Sequence, residues 1–476
     1  MFSFQVQKHR ARLPRKMTLA SSNNEAKNGK DPLQQNCEET LQASTPSGLS
    51  NLQMQSTEVG EITEMPDFEM LSTSAVLHYC KHKILRPYLR LLGVMGLKPM
   101  STDDSEHCSC HCIFANLHTF QVTIFMCIGY ILQYMACFRR DRGFCYKAMS
   151  LKFKGSSNIS KEEHAEDVLC FGNVAFSYLV PSVLHLVAYL YAVYLFRIKE
   201  NEQLQNLMER AFLLSSNPAN RGNQRKLVRI LWLFIALSLV WIIMALITVN
   251  VLMAQGSIVF QWLDHSPYEV KLTLKILLIV CTLWHDMVQG TIITSYCLQG
   301  QLLLAHLYFL RGKLLHHTLP PIDWMREICE FKKLLKYFND QLGPTVCIYT
   351  IVNLSWAAAG TAWLFRYNSD SQNNPVTWIG IINVILWILI SLVPFVQAAR
   401  LTTACSMIQS IGHEVRVRPF VYQSTPGEDL DTILLYTSSL KMCAKLFRVP
   451  VTGRYLCLLL TMTSILILVL GQCQLL

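Results

Sequence analysis

The sequence predicts an all-α membrane protein with seven transmembrane helices, a cytoplasmic N-terminus and an extracellular C-terminus. Three observations carry this. The chain has 476 residues, of which 51% are hydrophobic and only 16% charged, against about 25% charged in soluble domains. Its mean hydropathy is +0.28, although the first seventy or so residues are polar. Seven long segments are almost free of charge, and each is long enough for a membrane helix of roughly 20 apolar residues. Such a composition excludes a conventional soluble enzyme, a disordered protein and a small disulfide scaffold.

Residues 1–75 form a polar tail rich in Ser, Asn, Gln, Glu and Thr, without apolar periodicity. They read as a disordered cytoplasmic segment. Lys8, Arg10, Arg12, Arg15 and Lys16 make its tip basic, with no apolar stretch after them to form a signal peptide. That tip suits either the anionic inner leaflet or plain solvation. Residues 76–476 form the membrane domain, opened by a short amphipathic helix over Leu77–Leu97.

The seven segments then follow in order. Ile113–Phe138, Val168–Phe196 and Ile230–Leu263 contain no Asp, Glu, Lys or Arg, and Ile276–Leu310 contains only Asp286. Gln341–Phe365, Ser371–Ala399 and Tyr455–Leu476 are again charge-free. Backbone groups in lipid must bond within their own segment, so these runs are predicted as helices. A second amphipathic helix is expected over Leu430–Phe447, before the last span.

Orientation follows from the basic residues. The stretch before the first span holds Lys81, Lys83, Arg86, Arg90 and Lys98. The second connection holds seven Lys or Arg between Arg197 and Arg229, and the fourth and sixth are also basic. The third connection offers Lys271 and the fifth Arg366. Positive charge marks the inside, which places the N-terminus in the cytoplasm. The first connection is basic too, yet it carries the sequon Asn158-Ile159-Ser160, predicted as a lumenal glycosylation site. The second sequon, at Asn353, falls inside a helix and is expected to stay unmodified. This orientation is opposite to that of a G-protein-coupled receptor.

Chemistry-bearing motifs are few. No nucleophile–base arrangement, phosphate-binding Gly loop or metalloprotease motif is present, so no enzymatic activity and no cofactor are expected. Nothing points to nucleic acid. His107-Cys108-Ser109-Cys110-His111-Cys112 lacks the paired spacing of a structural zinc site, and acylation at the membrane surface is an equal alternative. Cys145 and Cys170 bracket the first outer connection and are candidates for a disulfide. His285-Asp286 lies within the fourth span, either as a functional pair or as a polar contact between helices. His185 reads as a packing residue.

The outer ends of the helices are rich in aromatic and amide side chains. Asn173, Tyr178, Trp356, Trp363, Trp378 and Asn383 are the candidate lining of a pocket for a small polar organic ligand. The competing reading of each aromatic is an interfacial anchor. In the last span Thr463, Ile467, Leu470 and Gln474 recur at i, i+4, i+7 and i+11. Around an oligomer axis this stripe gives a Thr ring, two apolar rings and an amide ring, an arrangement suited to gating and holding cations.

The C-terminus resembles that of the insect gustatory receptors, relatives of the olfactory receptors. That family ends with an aromatic pair, a spacer, Thr-Tyr, a short apolar run and Gln-Phe. Here Leu446-Phe447 is followed by 15 residues, Thr463-Ser464, the apolar run Ile465–Leu470, and then Gln472 and Gln474. Ser464 stands in place of Tyr, and the Gln comes two residues late. The layout from about residue 77 onward is similar to the family's as well, including the opening Arg90-Leu91-Leu92-Gly93-Val94-Met95-Gly96. The resemblance implies a ligand-gated, non-selective cation channel in the plasma membrane. It would be a homo- or heterotetramer, sensing a small-molecule tastant and passing cations among membrane lipids. It further implies a cytoplasmic anchor from parts of residues 300–345 and 400–447, a pore helix over residues 451–474, and a gate at Ile467. The alternative is a secondary transporter or another multi-pass protein without channel activity.

Overall fold

The computed structural model describes residues 78, 80–98, 109–135, 178–199, 207, 221–254, 267–316, 318–367, 375–417 and 426–475. The tail 1–75, Asn158, Asn173, Cys145 and Cys170 lie outside these residues. So do the side chains of the 107–112 cluster, Trp363, Ile467, Leu470 and Gln474.

A π-helical turn over Cys80–Leu85 leads into α1 (Arg86–Val94). The long helices are α2 (Ser109–Met135), α3 (Val180–Tyr194), α4 (Arg221–Ala254) and α5 (Tyr268–Leu315). After them come α6 (Pro321–Tyr337), α7 (Gly343–Tyr367) and α8 (Pro375–Gln409). The chain closes with α9 (Ile411–Arg416), α10 (Gly427–Ser439), a hairpin of β1 (Lys445–Leu446) and β2 (Val449–Pro450), and α11 (Gly453–Leu475). Among the described residues, five helical stretches are long and apolar enough to cross a membrane.

The central element is α5. Its 48 residues reach about 70 Å at 1.5 Å per residue, far beyond the roughly 30 Å of a bilayer core. It is apolar on all sides, and from Leu278 to Leu310 nearly every residue is buried, as expected of a helix enclosed by others. Against it pack α2, α4, α6 and α8. The outer helix α4 differs: only 17% of its apolar window is buried, against 61% for α5. Its Leu233, Leu237, Val240, Ile243 and Ile247 are exposed, an apolar face that only lipid or another protein suits. The short helix α1 is tucked into the bundle. Leu92, Met95 and Leu97 are buried, and the Tyr88 hydroxyl donates to the Thr291 carbonyl of α5 at 3.0 Å.

At the far end of α5 a compact unit joins α6, α9, α10 and the hairpin. Trp324 of α6 is fully buried, and its Nε1–H donates to Leu310 O at 3.0 Å. The Tyr436 hydroxyl of α10 donates to Met325 O at 3.3 Å, and burial pushes its phenol up to about 12. The expected helix over Leu430–Phe447 is corrected here. α10 stops at Ser439, and residues 440–450 run extended into the hairpin. Side chains take over the segment's backbone bonds. Gln409 donates to Leu440 O at 2.6 Å. Asn339 donates to Cys443 O at 3.0 Å and accepts from Lys445 N–H at 2.8 Å. The turn places Phe447 and Arg448 at φ 53° and 63°, the left-handed region that a two-residue hairpin demands. The Phe447 ring stacks on Phe395, with centroids 6.3 Å apart, and Leu446 is buried. Asn339→Ala removes both amide bonds. It is expected to cost about 1–3 kcal/mol, read as a lower melting temperature of the detergent-purified protein, with Asn339→Asp intermediate.

The last helix, α11, packs on α7 and α8. Tyr455, Leu456 and Leu459 meet the core, and Thr463 is half-buried on that same face. Thr461 is exposed, as are Leu458, Met462, Ile465 and Val469. The stripe expected to start at Thr463 therefore starts on the packed side of the helix. The side chains of Ile467, Leu470 and Gln474, the rest of that stripe, lie outside the described residues.

Candidate functional site

Four helices bring polar and aromatic side chains together in the bundle interior. From α2 come Tyr130 and Gln133, from α3 His185, from α5 Thr282, His285 and Gln289, and from α7 Tyr349, Asn353 and Trp356; Tyr178 adds to them just ahead of α3. Each group recurs at helical spacing, so one face of each helix delivers it. All of these residues are buried.

His285 is held from three directions. Its Nε2–H donates to Met126 O at 3.1 Å, and its Nδ1 accepts from Gln133 Nε2 at 3.1 Å, which defines the neutral Nε2–H form. Its ring stacks on Tyr130 with centroids 4.4 Å apart. The approach is close because residue 129 is glycine: a Cβ there would lie 2.7 Å from His285 Cε1 and 2.9 Å from Cys281 Cβ. Gly129→Ala is accordingly expected to part α2 from α5 and cost about 1–3 kcal/mol by overpacking. A melt of the purified variant checks this, and an unchanged melting temperature would refute the close approach.

His185 sits at the centre. Tyr130 and His185 Nδ1 share a hydrogen bond of 2.6 Å, and the rings of His285, Tyr349 and Trp356 lie 5.5, 5.0 and 5.9 Å from the His185 ring. The Tyr178 hydroxyl donates to the Tyr130 carbonyl. Beyond Trp356 the aromatic chain continues through Trp387 of α8, at 4.8 Å, to Trp241 of α4, at a further 5.6 Å.

Beside the rings, Gln289 Nε2 donates to Asn353 Oδ1 at 2.8 Å. Gln289 Oε1, Asn353 Nδ2 and the Tyr349 hydroxyl have no partner among the described residues, nor do the hydroxyls of Ser295 and Tyr296 further along α5. Each such group costs about 1–3 kcal/mol when left unpaired. Flat aromatic faces next to unmet amide and hydroxyl groups are what a small polar organic molecule, or water, would satisfy. Among the described residues no three His, Cys, Asp or Glu side chains are grouped to hold a metal.

Of the pocket residues expected from the sequence, Tyr178 and Trp356 belong to this cluster. Trp378 does not: it is 66% exposed in the first turn of α8, the situation of an interfacial anchor. Asn383 is buried on α8. His285 takes a polar contact between helices, with Asp286 buried next to it. Asn353 is fully buried, so its sequon is closed to glycosylation. Tyr130, Gln133, Gln289 and Tyr349 escaped the sequence reading. Their only signal was a polar residue in an apolar run, and Gln289 and Asn353 share that signal.

The architecture is that of a multi-pass helical membrane protein with aromatic and polar side chains gathered in its interior. No family model and no curated protein matches the chain. Among solved structures, 18 chains match. The insect olfactory receptor OR5 from Machilis hrabei in complex with eugenol aligns over 83% of this chain and 99% of its own, with a TM-score of 0.54 and 11% identity. A second structure of the same receptor aligns over 82% and 99%, with a TM-score of 0.51 and 11% identity. The chain therefore has the insect olfactory-receptor fold.

Proposed function

We propose that this protein is a divergent member of the insect-type chemosensory receptors, a ligand-gated non-selective cation channel that senses a small polar organic tastant. The observation that carries this reading is the fold shared over 99% of an olfactory receptor's chain, a receptor in complex with a small organic molecule, eugenol. The buried ring cluster with its unmet amides supports a compact ligand with both a flat apolar face and hydrogen-bonding groups. With α2 and α11 added to the five stretches above, the chain crosses the plasma membrane seven times, N-terminus inside.

The open face of α11 supports a tetramer in which this helix surrounds a central pore. Thr461 and Ile465 are exposed on that face, and Leu468 and Gln472 follow at i+7 and i+11. This repeats the Thr, Ile, Leu, Gln order of the stripe from Thr463 to Gln474, displaced by two residues. The gate is assigned to the ring of Ile465.

Expression in cells loaded with a calcium indicator, screened against a panel of sugars, bitter and other polar compounds, tests the function. A responding compound should evoke current that reverses near zero voltage in mixed Na⁺ and K⁺. Trp356→Ala should shift its dose–response by about tenfold, through lost ring contact of order 1 kcal/mol. Trp378→Ala should not. Saturable uptake without current would overturn the channel in favour of a transporter. Surface staining of an N-terminal tag without permeabilisation would overturn the orientation.

A further inference from the structure

The end of the bundle opposite the aromatic chain holds a cavity of about 740 Å³ between α4, α5 and α8. Its lining is cationic. Lys226 comes from the first turns of α4, Arg311 and His316 from the end of α5, and Arg400 from the last third of α8. Among the described residues Glu414 of α9 is the only carboxylate in the lining, so three permanent cations there face one anion.

The polar groups here are under-used. Arg311 Nη2 bonds Glu414 Oε2 at 2.9 Å, while the buried Arg311 Nε has no partner among the described residues. Among the described residues the Arg400 guanidinium donates only to Gln397 Oε1, at a long 3.5 Å, and Gln397 in turn reaches Gln301 Oε1 at 3.5 Å. Lys226 has no carboxylate within ion-pair distance among the described residues. Like charges gathered around a cavity repel one another unless an anion enters. Guanidinium forks and an ammonium are the groups that recognise phosphate, the first by paired hydrogen bonds and the second as a point charge. The volume falls in the usual range for small-molecule sites. Tyr308 and Leu315 supply an apolar wall, and beyond Ile230 Leu233 of α4 is exposed.

We infer that this cavity is a binding site for a phosphorylated anion, carried either by a lipid headgroup or by a soluble polyphosphate. Its intracellular location rests on the orientation proposed above; the binding itself does not. Phosphate competes with Glu414 for Arg311. Because α9 links α8 to α10, and the hairpin after α10 leads into α11, occupancy acts on the connection that carries the last helix.

The test uses the full chain purified in uncharged detergent, with two probes: inorganic tripolyphosphate, and phosphatidylinositol 4,5-bisphosphate in phosphatidylcholine nanodiscs. Binding is read by the shift in melting temperature and by native mass spectrometry. At least one probe should bind, more weakly at high salt. Binding of tripolyphosphate in lipid-free micelles assigns a soluble ligand, and binding of the lipid alone assigns a headgroup. Arg400→Gln should weaken binding roughly tenfold, the loss of one charge-assisted contact. Glu414→Gln should strengthen it, because the competing carboxylate is gone. Lys333→Gln, on the exposed side of α6 and outside the cavity, should leave it unchanged. Failure of both probes to bind would overturn the inference. So would a loss at Lys333→Gln equal to that at Arg400→Gln, or weaker binding by Glu414→Gln with an unaltered melt of the free protein. None of these readouts needs a tastant or a current, so the site can fail while the channel stands, and the reverse.

Discussion

Replacing Ile465 by serine is expected to produce a large current without any ligand. A ring of isoleucines leaves little room for a hydrated cation and offers no oxygen to replace lost water, so a closed gate presents a desolvation barrier. A hydroxyl at that ring wets it. Ile467→Ser should do much less. Thr463, four residues before Ile467 in the same helical register, is half-buried beside Leu456 and Leu459, whereas Ile465 is 53% exposed. Whole-cell recording in the absence of ligand compares the two variants directly. A rise at Ile467 with none at Ile465 would show that α11 turns in the assembled channel and would return the gate to the stripe through Thr463.

The second large effect is on stability. Trp324→Ala is expected to cost about 3–5 kcal/mol, a large share of the 5–15 kcal/mol that holds a typical domain together. Trp324 is fully buried where α5, α6 and α10 meet. Its ring meets Tyr436 edge-on at 6.3 Å, and its indole N–H satisfies Leu310 O. Truncation leaves a cavity and removes the edge-on contact with Tyr436 of α10. The expected outcome is a melting temperature many degrees lower and little protein at the cell surface. Trp324→Phe should recover part of the loss by refilling the volume. Trp378→Ala, of similar chemistry but exposed, should change the melt hardly at all. Equal melts for Trp324→Ala and Trp378→Ala would refute the role given to this joint.

The comparison of those two tryptophans shows where sequence reasoning stops. Both are large aromatics near the end of an apolar or amphipathic helix, and nothing local distinguishes them. Only the meeting of α5, α6 and α10 buries one of them and leaves the other exposed. The same holds for the segment after Ser439. Its apolar residues suggested a continued helix, yet Asn339, Gln409 and Thr402 supply the hydrogen bonds that let it run extended. Those partners lie 31 to 106 residues away in sequence.

By itself the sequence determined that this is a helical membrane protein built on long apolar segments. This is decided by hydrophobicity and backbone satisfaction in lipid, which act within one segment at a time. It also marked Tyr178, Trp356 and His285, because polar and aromatic groups in an apolar run are costly without a purpose. The tertiary structure alone decided which groups meet. α5, α7 and α8 are apolar all round, so no stripe on them announces an inner face. Their facing is set by close approaches such as Gly129 on His285 and Gly360 on Val384. The face of α11 was decided in the same way, by Tyr455, Leu456 and Leu459 meeting the core, because a periodic stripe fixes which residues share a side of a helix but not what that side looks toward.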